Sequence, residues 1–146
     1  SRGMVGGQVI DMEAMGQQLN LAELENMHIH KTGALIRASV ALGALSAPTI
    51  TEADLQAFDH YAKCIGLAFQ IQDDILDVAA STEVLGKTQG ADQAHNKPTY
   101  PALVGLPEAR DMATQLVQTA LNCVAHFDQK ADPLRWMADY IITREF

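Results

Sequence analysis

Residues 69–77 read FQIQDDILD. On a helix, Asp73 and Asp77 stand four residues and about 6 Å apart on one face, with Asp74 beside them and Gln70 one turn earlier on that same face. The preceding run, CIGLAFQI, is apolar nearly all round a helix, which marks an element enclosed by others. The acids also fall in its last two turns, where the negative end of the helix dipole disfavours carboxylates. Burial, mutual repulsion and the dipole all oppose three ionised side chains, so a positive partner is expected. Hard carboxylate oxygens suit magnesium, which keeps several waters and bridges one or two carboxylates to phosphate oxygens. Asp73, Asp74 and Asp77 are therefore candidate metal ligands. Spacing alone equally allows a helix end entering solvent with its acids hydrated.

The surrounding cations bear on that choice. Lys31 lies in HIHKTGAL, and Lys87 and Lys97 lie in GKTQGADQAHNKPTYPAL, each beside a glycine, a proline or a polar turn. An ammonium on a flexible stem suits the terminal oxygens of a diphosphate, although any one lysine is more often a surface residue. Gly33, inside a helical pattern, costs about 1 kcal/mol relative to alanine. Close approach of a substrate or tight helix packing would each account for it. The five histidines form no transition-metal pattern, since His28 and His30 are two apart and point to different helix faces.

Helical periodicity dominates, with almost no β alternation, so the chain reads as all-α. A first short helix is predicted over residues 5–16, with Gln8 and Asp11 on one face. A second starts after Asn20, where Glu23 completes a capping box, and runs to about Leu45. A third spans residues 51–80. Residues 81–105 read as a long polar loop with at most one short helix, and loops of that length usually have a function. A fourth helix runs from Pro107 to about Asp128, and a fifth begins at Pro133, capped by Asp132.

At 146 residues and 48% hydrophobic content, one domain with a real core is expected. A net charge of -8 argues against nucleic acid or an anionic membrane as the main partner. The longest weakly polar stretch is interrupted by Arg37 and falls short of a membrane span. Cys64 and Cys123 show no CxxC spacing and read as reduced core thiols. A cytoplasmic setting is expected.

In order along nearly the whole chain, GMVGGQVIDME, HKTGALIRASVALGAL, GLAFQIQDDILDV, LGKTQGADQAHNKPTYPALVGL and ADYIITRE resemble consecutive blocks of the short-chain trans-prenyl diphosphate synthases, the bacterial farnesyl diphosphate synthases most closely. The resemblance implies an isoprenoid-synthase-type helical bundle around a deep cavity, in which two aspartate-rich motifs grip Mg2+ and an allylic diphosphate. Residue by residue, it makes Asp73, Asp74 and Asp77 the second motif. It places Lys31, Lys87 and Lys97 on the diphosphates, and the Thr32 carbonyl and Gln70 amide against the allylic cation. Phe69 would lie beside the homoallylic substrate, and Gln8 and Asp11 would point toward the metal and leaving group. The implied reaction joins dimethylallyl or geranyl diphosphate to isopentenyl diphosphate, giving farnesyl diphosphate, in a homodimer when full-length.

One departure is serious: the family's first aspartate-rich motif lies before GMVGGQ, and no second acidic cluster occurs here. Residues 1–146 thus read as the C-terminal portion of a single polyprenyl synthase domain, expected to be inactive alone and to expose apolar surface. Competing readings are a noncatalytic partner subunit of a prenyl synthase, a terpene cyclase, and a helical cation-binding scaffold with a hydrated DDILD rim.

Overall fold

The computed structural model describes residues 3–13, 19–85 and 99–144, and every regular element among them is helical. Helix α1 covers Met4–Glu13. Helix α2, Leu21–His28, opens with the predicted capping box: Asn20 Oδ1 accepts the Glu23 N–H at 3.0 Å, and Glu23 Oε2 accepts the Asn20 N–H at 2.9 Å. A π turn, Ile29–Gly33, joins α2 to α3, Ala34–Leu45. The junction residues all keep right-handed helical dihedrals, so the predicted second helix is one continuous rod with a widened turn inside it.

Helix α4 spans Glu52–Leu85, five residues beyond the predicted end at Ala80. Its start is fixed by a second reciprocal cap, in which Thr51 Oγ1 accepts from the Asp54 N–H and Asp54 Oδ2 accepts from the Thr51 N–H, both at 3.1 Å. The predicted loop over residues 81–105 is shortened at its start, because 81–85 continue α4 and so leave Asp73, Asp74 and Asp77 ahead of its last two turns; Tyr100–Val104 form the one short helix the loop was expected to hold, α5. Helix α6, Leu106–Cys123, ends earlier than Asp128. There the Arg135 guanidinium donates to the carbonyls of Val124 (2.6 Å) and Phe127 (2.7 Å) and so ends the helix from a distance. A 3-10 turn, Gln129–Ala131, leads into α7, Asp132–Thr143.

The short connection at residues 46–51 sets α3 and α4 antiparallel. Helix α4 is the axis of the bundle. From Tyr61 to Ile75 it buries Tyr61, Ala62, Cys64, Ile65, Ala68, Ile71 and Ile75, as expected of a helix enclosed on all sides. Helix α6 meets it through a stripe of small residues, Ala109, Ala113, Val117 and Ala120, which lets the two backbones run close together. Helix α7 runs parallel to α4: the Tyr61 hydroxyl donates to the Leu134 carbonyl at 2.7 Å, and Ala138 and Ile141 follow along the same seam. Burial pushes the Tyr61 phenol up to about 12. It also raises the thiols of Cys64 and Cys123, neither of which is bridged. No helix among the described residues is long and apolar enough to cross a membrane.

Apolar surface remains open. A groove of about 660 Å3 between α3, α4 and α7 is lined by Leu35, Ile36, Val40, Phe58, Leu134 and Met137. Leu42 beside it is 71% exposed, and Trp136 on α7 is 67% exposed.

The α3–α4 pair is also tied by charge: Asp59 accepts from Arg37 and Lys63, each at 2.7 Å. Partial burial alone would raise the Asp59 carboxyl, but the two cations outweigh it and hold the group below its usual value of 3.8. A carboxylate whose folded-state pKa is lowered stabilises above its unfolded value, and that contribution is lost as pH falls through the folded value. Because the pair is largely solvent-exposed, Asp59→Asn is expected to cost no more than about 1 kcal/mol at pH 7. The difference between the thermal melts of the two proteins should shrink as the pH falls through the lowered folded-state value of Asp59, where the wild-type carboxylate becomes protonated as well.

Candidate active site

The site begins with a backbone contact. Helix α1 crosses the π turn at Gly7, which is buried. A Cβ built at Gly7 would stand 2.1 Å from the Lys31 nitrogen and 2.4 Å from its Cα, so no other residue fits without moving α1. This crossing places Gln8, exposed on α1, one residue from the Lys31–Thr32 backbone, with Asp11 three residues further along the same helix. The π turn itself is a signal, because such widened turns are frequent at functional sites. Within it the Ala34 N–H donates to the Thr32 carbonyl, and the His30 Nδ1 donates to the Asn26 carbonyl at 2.8 Å.

A second close crossing fixes the turn against α4. Gly33 is buried, and a Cβ added at Gly66 would lie 3.5 Å from the Gly33 Cα. A Cβ built at Gly33 itself would meet only the His28 carbonyl oxygen, at 3.7 Å, so the crossing does not itself demand glycine at that position. Because the helices are antiparallel, moving back from Gly33 to Lys31 and forward from Gly66 to Asp73 goes the same way. Gln70 then stands about 6 Å past the crossing and Asp73 about 10 Å past it. Gln70 and Phe69 are both half-buried.

The three acids leave α4 in different company. Asp73 is half-buried and ion-pairs with Arg144, the residue after α7. The Arg144 guanidinium lies over the Phe69 ring, 4.3 Å from its centroid, and donates to the Phe69 carbonyl at 3.4 Å. Asp74 is only 4% exposed, and its Oδ2 accepts the Tyr100 N–H at 3.0 Å. Tyr100 is wholly buried and stacks on His28 with centroids 5.7 Å apart. Burial first, then the charges of Glu25 and Asp74, raise its phenol far above the usual range. Thr99 Oγ1 caps α5 through the Ala102 N–H at 3.3 Å, so the Thr99–Tyr100–Pro101 stretch docks on α4 through Asp74. Asp77 is exposed.

The predicted trio is thus divided, and among the described residues no three His, Cys, Asp or Glu side chains converge on a point able to hold a metal ion. Asp73 and Asp77 still offer hard oxygens on one face, enough for a cation that takes one or two carboxylates and completes its shell with water and phosphate. Lys87 and Lys97 lie outside the described residues. Arg144 and Tyr100 are contributors that local pattern does not reveal. The one available signal was Thr99 followed by Pro101, a cap and a first-turn proline that mark a short helix.

With this arrangement in hand, the chain was compared with known proteins. The Polyprenyl synthetase family pattern matches residues 1–135. The chain belongs to the polyprenyl synthetase family. It is 52% identical over 145 residues to the farnesyl diphosphate synthase of Escherichia coli, covering 97% of this chain and 48% of that protein. It is 44% identical over 147 residues to a chloroplastic geranylgeranyl pyrophosphate synthase of Capsicum annuum, covering 99% of this chain and 40% of the relative. Among solved structures, an FPP/GFPP synthase from Zymomonas mobilis superposes with a TM-score of 0.80 at 34% identity, over 97% of this chain and 45% of that one. A geranyltransferase from Helicobacter pylori, complexed with magnesium and isoprenyl diphosphate, superposes with a TM-score of 0.72 at 31% identity, over 96% and 46%. The all-α isoprenyl synthase fold read from sequence is thereby established, and the chain spans about half the length of the curated relatives it matches.

Substitutions at two positions check the geometry. Gly7→Ala is expected to cost about 1–3 kcal/mol in a denaturant titration, because the added methyl meets backbone that cannot yield. Asp74→Ala is expected to cost a similar amount by orphaning the buried Tyr100 N–H, while Asp74→Asn, which keeps an acceptor oxygen, should recover much of it.

Proposed function

We propose that residues 1–146 are the C-terminal portion of a polyprenyl synthase domain whose full-length form is a magnesium-dependent trans-prenyltransferase. Its substrates would be an allylic diphosphate, dimethylallyl or geranyl, and isopentenyl diphosphate. The observation that supports this best is the Gly33–Gly66 crossing, which sets the Lys31–Thr32 π turn against α4 on the side that leads on to Gln70 and Asp73, about 6 and 10 Å further along. In this reading Asp73, with Asp77 one turn on, faces the metal, and Asp74 holds the segment leading into α5 on α4. Lys31, Lys87 and Lys97 bind diphosphate oxygens as compact cations. Magnesium, when bound, would neutralise the negative charge that grows on the departing pyrophosphate.

The allylic cation left behind needs dipoles that do not attack it. A main-chain carbonyl at Thr32 and the Gln70 amide oxygen have that character, whereas an unmasked carboxylate would capture the cation. Phe69 offers an aromatic face to the homoallylic substrate. Gln8 and Asp11, carried beside Lys31 by the Gly7 crossing, are assigned to the leaving-group side. Farnesyl diphosphate is the preferred product, on the strength of the 52% identity to a farnesyl synthase against 44% to geranylgeranyl synthases. The full-length enzyme is placed in the cytoplasm as a homodimer.

The open groove between α3, α4 and α7 fits a domain whose other helices are to be packed against it. The 146-residue chain is accordingly expected to self-associate on size-exclusion chromatography and to give no turnover of geranyl and isopentenyl diphosphates, because half of the metal cage is missing. Titration calorimetry with magnesium and pyrophosphate tests the remaining half. Heat of binding that disappears in Asp73→Ala supports the site, and wild-type protein that binds nothing would favour a helical scaffold instead.

A further inference from the structure

Tyr100, wholly buried at the first position of α5, is in contact with two elements of the candidate site. Its N–H donates to Asp74 Oδ2 at 3.0 Å, which ties its backbone to α4 one residue from Asp73. Its ring lies against His28, with centroids 5.7 Å apart and planes 21° from parallel. His28 is buried too, closes α2 and directly precedes the π turn, so Lys31 and Thr32 follow it by three and four residues. Leu24 and Met27 from α2, Ile71 and Ile75 from α4, and Ala109 from α6 share one apolar cluster with the ring. The hydroxyl is buried and has no hydrogen-bond partner among the described residues, so what Tyr100 supplies to this junction is its ring and its N–H.

We infer that Tyr100 is a positioning residue for the Lys31–Thr32 turn: anchored to α4 through Asp74, its ring holds His28 and so fixes the entry to the π turn relative to Asp73. The inference rests on the proposed assignment of Lys31 to diphosphate and of Asp73 to the metal. Its physical basis is rotation. The close backbone approaches at Gly7 and at the Gly33–Gly66 crossing set how near the π turn stands to α1 and α4, but two rods in contact can still turn about their axes. A slip of one residue turns the segment through about 100° and carries Lys31 to another face. A buried side chain gripped from outside prevents that turning, and His28 is the one at the entry. Asp73 and Asp74 then act as a pair, the first toward the metal and the second, through Tyr100 and His28, on the cation that would share the diphosphate with it.

The test uses the 146-residue protein and two readouts, amide hydrogen exchange of residues 29–33 without ligand and calorimetric titration of pyrophosphate at saturating magnesium. Tyr100→Leu keeps an apolar side chain but loses the ring. It is expected to exchange the π-turn amides about tenfold faster than wild type and to bind pyrophosphate about tenfold more weakly. Tyr100→Phe keeps the ring and should match wild type within twofold in both. His28→Leu should reproduce the leucine effect from the other side of the stack, and it serves if Tyr100→Leu fails to fold. The double variant should bind no more weakly than either single one, because each breaks the same contact. Val117→Ala, a truncation in the separate cluster between α4 and α6, should lower the melting temperature yet bind within twofold of wild type, which separates positioning from lost stability. Wild-type affinity in both Tyr100→Leu and His28→Leu, equal weakening by Val117→Ala, or Tyr100→Phe binding as weakly as Tyr100→Leu overturns the positioning role. If binding disappears in Asp73→Ala but is untouched by the Tyr100 and His28 variants, the positioning role alone fails. Wild-type protein that takes up no pyrophosphate sinks the assignment of the site and this inference with it.

Discussion

A carboxylate on an enclosed helix must find compensation, and the chemistry available to this protein follows from how each of three acids finds it. Helix α4 buries most of its side chains from Tyr61 to Ile75 because α3, α6 and α7 pack on it, so Asp73 and Asp74 leave a largely closed core; with α4 running on to Leu85 they stand about three turns before its end, beyond the reach of its dipole. A single shared solution would have drawn the three together. Instead Asp74 turns inward to a backbone N–H, Asp73 meets a guanidinium from the end of α7, and Asp77 reaches water. One acid thereby becomes architectural, holding the segment that follows α4, while the other two are left on the face where a cation can bind.

Small residues set the distances over which this works. Gly7 lets α1 touch the backbone of Lys31, the Gly33–Gly66 crossing brings the π turn against α4, and the alanine stripe of α6 closes the other side. None of these contacts is chemical, yet together they fix how α1 and the π turn stand against α4, and so the register of Lys31 and Thr32 relative to Gln70 and Asp73. A methyl group at Gly7 would displace α1, and with it Gln8 and Asp11. The open groove beside α3 and α7 has the opposite character, large and apolar where the rest of the bundle is closed.

Much of this was legible in the sequence because it is local. Asn20 with Glu23 and Thr51 with Asp54 announce their helix starts through side chains three residues apart, and the apolar run before Asp73 has no polar side to offer solvent. The features that escaped are those made by distant parts of the chain. Arg144 and Asp73 are 71 residues apart in sequence, and Tyr100 and Asp74 are 26 apart, so no periodicity links them. The early end of α6 was hidden for the same reason: Val124 continues the apolar spacing, and it is Arg135 that takes the carbonyls there. A π turn adds one residue to one turn, too little to disturb the helical pattern on either side. Gly33 was visible as an anomaly, but that it crosses α4 at Gly66 was not.

The division of labour among the acids is the claim on which the account turns, and anomalous diffraction from crystals grown with manganese and pyrophosphate examines it directly. The account calls for a manganese peak within coordination distance of Asp73, with Asp74 still accepting the Tyr100 N–H. A peak ligated by Asp74 with the Tyr100 amide released, or no peak at Asp73, would contradict it.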